Sequence, residues 1–459
     1  MSTSTLTEKL PRPAELSAEG LRNKVLTLAW PALVEMMLIS LVSMADMIMV
    51  GRIGPAAIAS VGLTNQPMFF AMAVFMALNV GTTAIVARSI GAKDLKGATD
   101  AARQSFMITV LMGLAVSSLA YFSAPYVLRF MNAGPDVLEV GTIYFRIVGL
   151  GLFFSTLAMS FGAVLRGSGD TKTPMKINMV ANVINVTGNY LLIFGHFGFP
   201  RLGVAGAALA TTFSRVVAMA IFTFVLFSGK RIIAFKLSDR WRFDWTIIKR
   251  ISKIGSNAAL EQFVLRGGQV VFARVVASLG TATFAAHQIG LNVLSLSFMP
   301  GQAFGMSATT LVGQSLGAKD PKLAERCGYE ARRYGRYVAT GMSLVFFFFG
   351  AQIASLYSND PEVIRQAALS LRIIALVQPL QSTQFILAGG LRGAGDTRWP
   401  LYSTFLGIWV GRVLLATLFI QVFGWGLWGA WVAMALDQVG RSLFISYRFK
   451  SGHWKYIRV

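Results

Sequence analysis

The sequence predicts an all-α integral membrane protein with twelve transmembrane helices in two pseudo-symmetric six-helix bundles. Hydrophobic residues make up 54% of the 459 residues, and charged residues only 14%. Twelve apolar runs follow one another along the chain, and most of them reach the roughly 20 residues that an α-helix needs to cross a bilayer. Two motifs also recur at one fixed spacing, once in each half of the chain.

The twelve apolar runs define the predicted helices in chain order. Polar or glycine-containing segments separate them, and the longest of these segments lies near the middle of the chain. The runs cover approximately residues 25–50, 60–86, 106–128, 137–165, 172–197, 203–228, 248–277, 285–313, 333–357, 362–391, 398–423 and 425–447.

The basic residues are distributed unequally between alternate loops. The formal net charge is +22. One set of loops, together with both termini and the stretch from Lys230 to Lys253, holds most of the Lys and Arg residues. The other set holds only Arg52, Arg129, Arg201 and Arg365. Because cytoplasmic loops carry the excess of Lys and Arg, we predict that both termini and the middle linker are cytoplasmic. The membrane thus accounts for the positive charge, and no nucleic-acid partner is needed.

Internal repeats indicate two similar halves. The sequence of Ser89–Asp94 returns in similar form at Ser315–Asp320, and that of Leu165–Thr171 returns at Leu391–Thr397, each 226 residues later. The same shift relates Glu35 to Glu261. Six helices per half return the chain to its starting side, so we predict parallel repeats about an axis along the membrane normal. This arrangement is typical of alternating-access transporters.

The repeat predicts a division into five segments. These are a cytoplasmic N-terminal segment (1–24), an N-lobe (25–228), a cytoplasmic linker (229–250), a C-lobe (251–448) and a cytoplasmic tail (449–459).

The first helix carries two carboxylates where the bilayer disfavours charge. Glu35 and Asp46 are eleven residues apart, so they lie on one helix face about 16 Å apart along the axis. Acids at membrane depth are candidates for a functional site. We expect Glu35, nearer the cytoplasmic end, to be structural. Pro31, in the same helix, removes a backbone donor and is the candidate hinge.

Helices 5 and 6 provide polar residues at the predicted depth of Asp46. Asn178, Asn182, Asn185 and Asn189 follow one another at helical spacing and share a face. Asn185, Asn189 and Thr211 are expected beside Asp46. A carboxylate, two amides and a hydroxyl can bind a proton or a small hard cation such as Na⁺. The alternative for the neutral residues is interhelical hydrogen bonding without a ligand.

The C-lobe lacks the equivalent of this acid. The repeat aligns Asp46 with Phe272 and Pro31 with Asn257. Candidate C-lobe substrate contacts are Glu261, Gln288 and Ser382, although Glu261 could instead form a structural salt bridge with an arginine. Asp437 and Arg441, four residues apart, are predicted to be a buried ion pair.

Several function classes have little support in the sequence. The three histidines are scattered, Cys327 is the only cysteine, and no phosphate-loop motif is present. A membrane-embedded enzyme is therefore a remote alternative, and we expect no metal site beyond a possible Na⁺ at Asp46. A lipid or lipid-linked saccharide flippase is the stronger alternative, because such a protein would use a basic cavity. Its candidate residues are Arg146, Arg215, Arg266, Arg274, Arg372 and Arg412.

Over about residues 22–450 the chain resembles the multidrug and toxic compound extrusion (MATE) family. The resemblance is carried by Pro31, by the Asp46–Gly51 stretch Asp-Met-Ile-Met-Val-Gly, by Ala285–Gln288, and by the doubled Gly-Ala-Lys-Asp and Leu-Arg-Gly-x-Gly-Asp-Thr motifs. It implies efflux of amphipathic, often cationic compounds in exchange for inward-moving H⁺ or Na⁺, with no further cofactor. The expected location is the inner or plasma membrane, and we expect a monomer.

The resemblance also assigns candidate site residues. The N-lobe acid of the family matches Asp46, its polar helix 5 positions match Asn185 and Asn189, and its helix 6 threonine matches Thr211. Some members carry an aspartate at the position of Asn189, and its absence weakens a Na⁺ site of that type. NorM-type members have C-lobe carboxylates where this chain has Leu265 and Ser382, so the chain looks nearer the DinF-type branch.

Overall fold

The computed structural model describes residues 17–131, 133–236, 238–239 and 241–457, and these residues are almost entirely helical. Most of the predicted N-terminal segment, residues 1–16, lies outside the described residues, as do residues 458–459 of the predicted tail. The cytoplasmic location of both termini stays a prediction.

The described residues form twelve long helices, in agreement with the sequence. They are α1 (Ala18–Gly51), α2 (Pro55–Gly91), α3 (Leu95–Phe130), α4 (Pro135–Ser168), α5 (Lys172–Phe194), α6 (Gly203–Phe227), α7 (Trp245–Ala277), α8 (Thr281–Gly317), α9 (Pro321–Ser355), α10 (Pro361–Gly393), α11 (Arg398–Val422) and α12 (Gly426–Ser451).

Within the described part of the chain, nine of these helices are long and apolar enough to cross a membrane. The other three are α7, α8 and α12. They carry charged or polar side chains within their apolar runs, among them Glu261, His287 and Asp437. The fold as a whole is that of a multi-pass membrane protein.

Several helices begin before the apolar runs that predicted them, most of all α3 at Leu95 and α9 at Pro321, eleven and twelve residues early. Helix α1 begins at Ala18, seven residues before its apolar run, because the polar turn from Ala18 to Lys24 continues the same helix. Helix α11 is not a regular α-helix throughout, since Leu406–Leu414 and Leu418–Val422 are π-helical. A π-helical segment is rare and often marks a functional site.

The chain divides into two compact units. One contains residues 34–90 and 94–255, and the other contains residues up to 33, 91–93 and 256–459. The division falls inside α1, between Leu33 and Val34, and inside α7, between Gly255 and Ser256. The lobe boundaries 25–228 and 251–448 stay a prediction about the repeat. Below, the unit with most of the first half is the first unit, and the other is the second unit.

The second unit has a core that includes the start of α1. Leu21, Val25 and Leu28 pack with buried residues of α8, α10 and α12, and Trp454 closes this cluster after the end of α12. Ser307 on α8 donates a hydrogen bond to the Val25 carbonyl. The first turns of α1 therefore belong structurally to this core, although they precede the first-half helices in sequence.

In the first unit, the linker after α6 is bound to the helices. The side chain of Gln104 on α3 donates to the Arg242 carbonyl at 2.8 Å and accepts from the Asp244 backbone N–H at 3.1 Å. Trp241 contacts the rings of Phe106 and Phe235. The described residues of the predicted linker thus pack on the helices of the first unit.

The repeated loops have the same backbone structure in both halves. Lys93 and Lys319 both have a φ of 59°, a left-handed conformation that is uncommon for a residue with a Cβ atom. The aspartates that follow cap the next helices, since Asp94 accepts from the Gly97 N–H and Asp320 from the Leu323 N–H. The 226-residue repeat is therefore a structural repeat.

Helix pairing in the two units is also equivalent. Thr83 on α2 donates to the Ala163 carbonyl on α4, and Thr309 on α8 donates to the Gly389 carbonyl on α10, each residue 226 positions from its counterpart. Close approach of α8 and α10 requires glycine at position 393, because a Cβ atom there would overlap the Thr309 carbonyl.

We predict that Gly393→Ala lowers the melting temperature of the purified protein in detergent. Overpacking a close contact costs about 1–3 kcal/mol, and the Thr309 backbone cannot move away without disturbing α8. Gly341→Ala on α9 is the control, since its Cβ would meet open space and alanine favours a helix over glycine by about 0.5–1 kcal/mol. Equal melting temperatures for the two variants would contradict the close packing of α8 and α10.

Candidate functional site

The first unit contains a buried polar cluster around Asp46. Asp46 lies near the end of α1 and is partly buried. The amide nitrogen of Asn189 on α5 donates to Asp46 Oδ1 at 2.5 Å. Asn189 is fully buried, so its side of this contact is shielded from solvent.

Asn185 connects Asp46 to Thr211. The Asn185 side chain lies between the Asp46 carboxylate and the Thr211 hydroxyl on α6. A carboxylate accepts hydrogen bonds but cannot donate them when ionised, so the amide nitrogen is assigned to the Asp46 side. In that orientation it donates to Asp46 Oδ1 at 3.0 Å and Oδ2 at 3.3 Å, and its oxygen accepts from Thr211 Oγ1 at 3.0 Å.

Two further side chains influence this cluster. Arg215, one turn after Thr211 on α6, interacts electrostatically with Asp46, and so does the buried Tyr144 on α4. The structure therefore brings together all four residues that the sequence nominates, Asp46, Asn185, Asn189 and Thr211. It also adds Arg215 as the nearby positive charge. A binding role for the four residues stays a prediction.

Glu35 lies in a separate contact on the same helix. Asn178 on α5 donates to Glu35 Oε1 at 2.7 Å, and Arg166 on α4 lies 3.4 Å from the same oxygen. We expect a structural role for Glu35 from the sequence, and its ion pair with Arg166 agrees with that expectation. Asn178 belongs to the asparagine stripe of α5, but its contact with Glu35 was not predicted.

Glu261 occupies the equivalent position in the second unit. Arg392 donates to Glu261 Oε1 at 2.6 Å, and Thr404 donates to the same oxygen at 3.1 Å. Arg392 and Thr404 are the counterparts of Arg166 and Asn178 at the 226-residue spacing. The salt bridge that the sequence analysis left open for Glu261 is present, and the repeat offset could have named its partner.

The other C-lobe candidates have different environments. Gln288 on α8 is exposed at the protein surface, whereas its neighbour His287 is fully buried against the rings of Phe272 and Trp431. Ser382 on α10 is buried. Substrate contacts by Glu261, Gln288 and Ser382 stay a prediction.

Asp437 has a different hydrogen-bonding partner from the one predicted. The Nε atom of Arg412 on α11 donates to Asp437 Oδ2 at 2.9 Å, whereas Arg441 donates to Thr404 at 3.0 Å. Arg441 still interacts electrostatically with Asp437. Arg412 lies within the first π-helical segment of α11. The sequence predicts Arg441 because a spacing of four residues places two side chains on the same face of one helix. The contact with Arg412 depends instead on how α11 packs against α12.

Pro31 is buried inside α1, which continues as a helix on both sides of it. The division between the two compact units falls two residues later, after Leu33. A proline at this place weakens the helix by removing one backbone hydrogen bond. The hinge function of Pro31 stays a prediction.

Asp46, Asn185 and Asn189 lie within a segment that matches a known family, and Thr211 lies between its two matched segments. The MatE family model matches residues 31–191 and again residues 258–418. The chain belongs to the MatE family. The two matches cover most of both halves and reproduce the internal repeat. Its members are membrane transporters, so this protein is a transporter and not an enzyme.

Relatives match over nearly the whole chain. The "Probable multidrug resistance protein NorM" of Thermotoga maritima is 32% identical over 436 residues, which cover 95% of this chain and 93% of that protein. "Multidrug resistance protein PmpM" of Pseudomonas aeruginosa is 29% identical over 465 residues, covering 97% and 96%. The predicted DinF-type branch within the family stays a prediction.

Solved structures confirm the fold. A crystal structure of MATE in the bent conformation matches with a TM-score of 0.88 at 22% identity and covers 98% of each chain. A MOP superfamily transporter from Pyrococcus furiosus matches with a TM-score of 0.87 at 22% identity, covering 94% of this chain and 96% of that one.

We predict that Asp437→Leu and Arg412→Met each lower the melting temperature in detergent. Removing one partner of a buried ion pair leaves the other charge uncompensated, at a cost of about 3–5 kcal/mol. The double variant should recover part of the loss, because neither partner of the pair then remains as an unpaired charge, although Arg441 still loses the nearby Asp437 charge. Melting temperatures of the four proteins measure this coupling, and strictly additive losses would show that the pair does not act as a unit.

Proposed function

We propose that this protein exports amphipathic, often cationic compounds by antiport against H⁺ or Na⁺, through alternating access. One observation carries the proposal. Asp46, Glu35, Glu261 and Asp437 lie within the apolar runs, and the last three contact an arginine directly. In the described structure, the hydrogen bonds of Asp46 come from neutral amides.

The neutral partners of Asp46 make it suitable for exchange. An arginine bound to a carboxylate would have to be displaced by an incoming cation. Asparagine amides stabilise the carboxylate through hydrogen bonds without neutralising its charge. Arg215 reduces the negative potential at Asp46 from a distance, and in the described structure it donates no hydrogen bond to the carboxylate. A proton, a Na⁺ ion or an organic cation can therefore compete for the same carboxylate.

Competition at one carboxylate is sufficient for coupling. The ionised form attracts a cationic substrate, and an incoming proton or Na⁺ releases it. Two ligands that exclude each other at one site are linked by an unfavourable, positive coupling free energy, and this linkage is reciprocal. Bending of α1 at Pro31 would change the side from which Asp46 is reached. The membrane potential supplies about 2.3 kcal/mol per charge per 100 mV.

Names of related proteins support a multidrug substrate range. The relatives from T. maritima and P. aeruginosa are both named multidrug resistance proteins. The flippase alternative depends on the arginines, and two of these are placed beside carboxylates, Arg412 against Asp437 and Arg215 near Asp46. Their positive charge is thus partly compensated, which favours the cation exporter.

We predict that Asp46→Asn abolishes gradient-driven ethidium efflux while the protein still inserts and purifies normally. The asparagine fits the same space but cannot exchange a cation. Uptake of ethidium into everted vesicles, the direction that corresponds to export from the cell, is measured with a pH gradient and a Na⁺ gradient imposed separately, and the wild type should follow one of the two. Normal efflux by a correctly inserted Asp46→Asn protein would contradict the proposal. Lipid scrambling without cation efflux would support the flippase.

We also predict that Thr211→Val weakens substrate binding by about two- to tenfold, the effect of one net hydrogen bond of 0.5–1.5 kcal/mol. The valine cannot donate to Asn185, whose amide then holds Asp46 less firmly. Thr212→Val is the matched control, because Thr212 donates to the Ile147 carbonyl instead. Equilibrium binding of tetraphenylphosphonium should separate the two variants, and equal affinities would show that Thr211 has no part in the site.

A further inference from the structure

Helices α1 and α5 make two contacts with the same residue offset. Asn178 donates to Glu35, and Asn189 donates to Asp46, and each pair is 143 positions apart in the sequence. The two helices therefore lie side by side, parallel and in register, between these contacts. Eleven residues separate the contacts, so the two carboxyls are roughly 16 Å apart along the helices.

An asparagine stripe on α5 connects the two carboxyls. Asn182 and Asn185 lie between the two contacts on the same helix face, so that no step along the stripe exceeds about one helical turn. Asn182 is 5% exposed. Its amide nitrogen has no hydrogen-bond partner among the residues that the structure describes. Buried amides are normally bonded, so this unpartnered donor group marks a polar position between Glu35 and Asp46.

Glu35 has a longer arginine contact than its counterpart in the second unit. Glu261 is held by Arg392 at 2.6 Å and by Thr404. The Glu35 contact with Arg166 is longer, at 3.4 Å. Glu35 Oε2 is buried and has no hydrogen-bond partner within the described residues. The side chain as a whole is 7% exposed. A carboxylate oxygen in this condition can accept a proton or contact a small cation.

We propose that Glu35, Asn178 and Asn182 form a second station for the coupling cation, connected to Asp46 by the asparagine stripe. The proposal rests on cation exchange at Asp46. A proton arriving at this station binds Glu35 Oε2, and a Na⁺ ion would use the same oxygen with the asparagine carbonyl groups. The cation released from Asp46 would thus move along α1 toward the end that we predict to be cytoplasmic, leaving Asp46 to the substrate.

The charges around the two stations allow one cation at a time. Arg166 faces Glu35 from α4, and Arg215 on α6 and the Tyr144 phenol on α4 face Asp46. Two carboxylates and two arginines are neutral in total. One added cation gives a single positive charge, which the stripe can hold at either end. Glu35 is therefore proposed as a positioning residue for the coupling ion and not as a contact of the substrate.

The test separates ion-coupled transport from substrate exchange. Five proteins are reconstituted in liposomes with labelled tetraphenylphosphonium. They are the wild type and the variants Glu35→Gln, Asn182→Leu, Asp46→Asn and Asp170→Asn. Gradient-driven transport requires movement of the coupling ion, whereas exchange of labelled for unlabelled tetraphenylphosphonium requires only the substrate site. Asp170 is the control, because it is an arginine-paired carboxylate of the same unit that lies outside the stripe.

We expect Glu35→Gln and Asn182→Leu to lose gradient-driven transport by at least about tenfold while exchange stays within about twofold of wild type. Asp170→Asn should keep both activities. Normal gradient-driven transport in Glu35→Gln or Asn182→Leu would overturn the second station, and so would a parallel loss of exchange in Glu35→Gln, which would indicate a structural ion pair. Retained gradient-driven transport in Asp46→Asn would instead overturn the proposed function itself.

Discussion

A carboxylate inside a membrane protein needs a hydrogen-bonding or charged partner, and the kind of partner distinguishes Asp46 from Glu35, Glu261 and Asp437. Glu35, Glu261 and Asp437 each contact an arginine, whereas the described hydrogen bonds to Asp46 come from amides. An arginine close to a carboxylate, as at Glu261 and Asp437, fixes the ionised state, because removing either charge leaves the other buried and unpaired. The contact of Arg166 with Glu35 is longer, at 3.4 Å, and Glu35 Oε2 has no hydrogen-bond partner within the described residues. Amides leave the charge of Asp46 available to a mobile cation. The proposed transport mechanism depends on this difference.

The internal repeat shows which features are architecture and which are specific to one half. The Glu–Arg contacts recur at the same spacing, with Asn178 replaced by Thr404 as the third member. The Asp46 cluster does not recur, because Phe272 stands at the equivalent position. Arg412 lies near the Phe272 ring and binds Asp437. The second unit thus has an internal ion pair beside the position equivalent to Asp46, the acid for which we propose cation exchange.

The sequence predicted the architecture and the Asp46 cluster because both depend on regular spacing. Hydrophobic runs predicted the helices, and the repeated motifs predicted the two halves. The helical spacing of the asparagines, and their predicted depth in the membrane, placed Asn185 and Asn189 beside Asp46. Contacts between different helices were harder to predict. Arg412 was missed as the partner of Asp437 because a local four-residue spacing favoured Arg441. The π-helical segments of α11 were missed because their composition is as apolar as that of an ordinary spanning helix.

The central claim is that substrate and coupling ion exclude each other at Asp46. The most direct measurement is equilibrium binding of tetraphenylphosphonium to the purified protein over a range of proton and Na⁺ concentrations. We predict that the apparent dissociation constant rises in proportion to the concentration of one of the two ions without reaching a plateau, and that Asp46→Asn abolishes this dependence. A dissociation constant that is independent of both ions in the wild type would contradict the account.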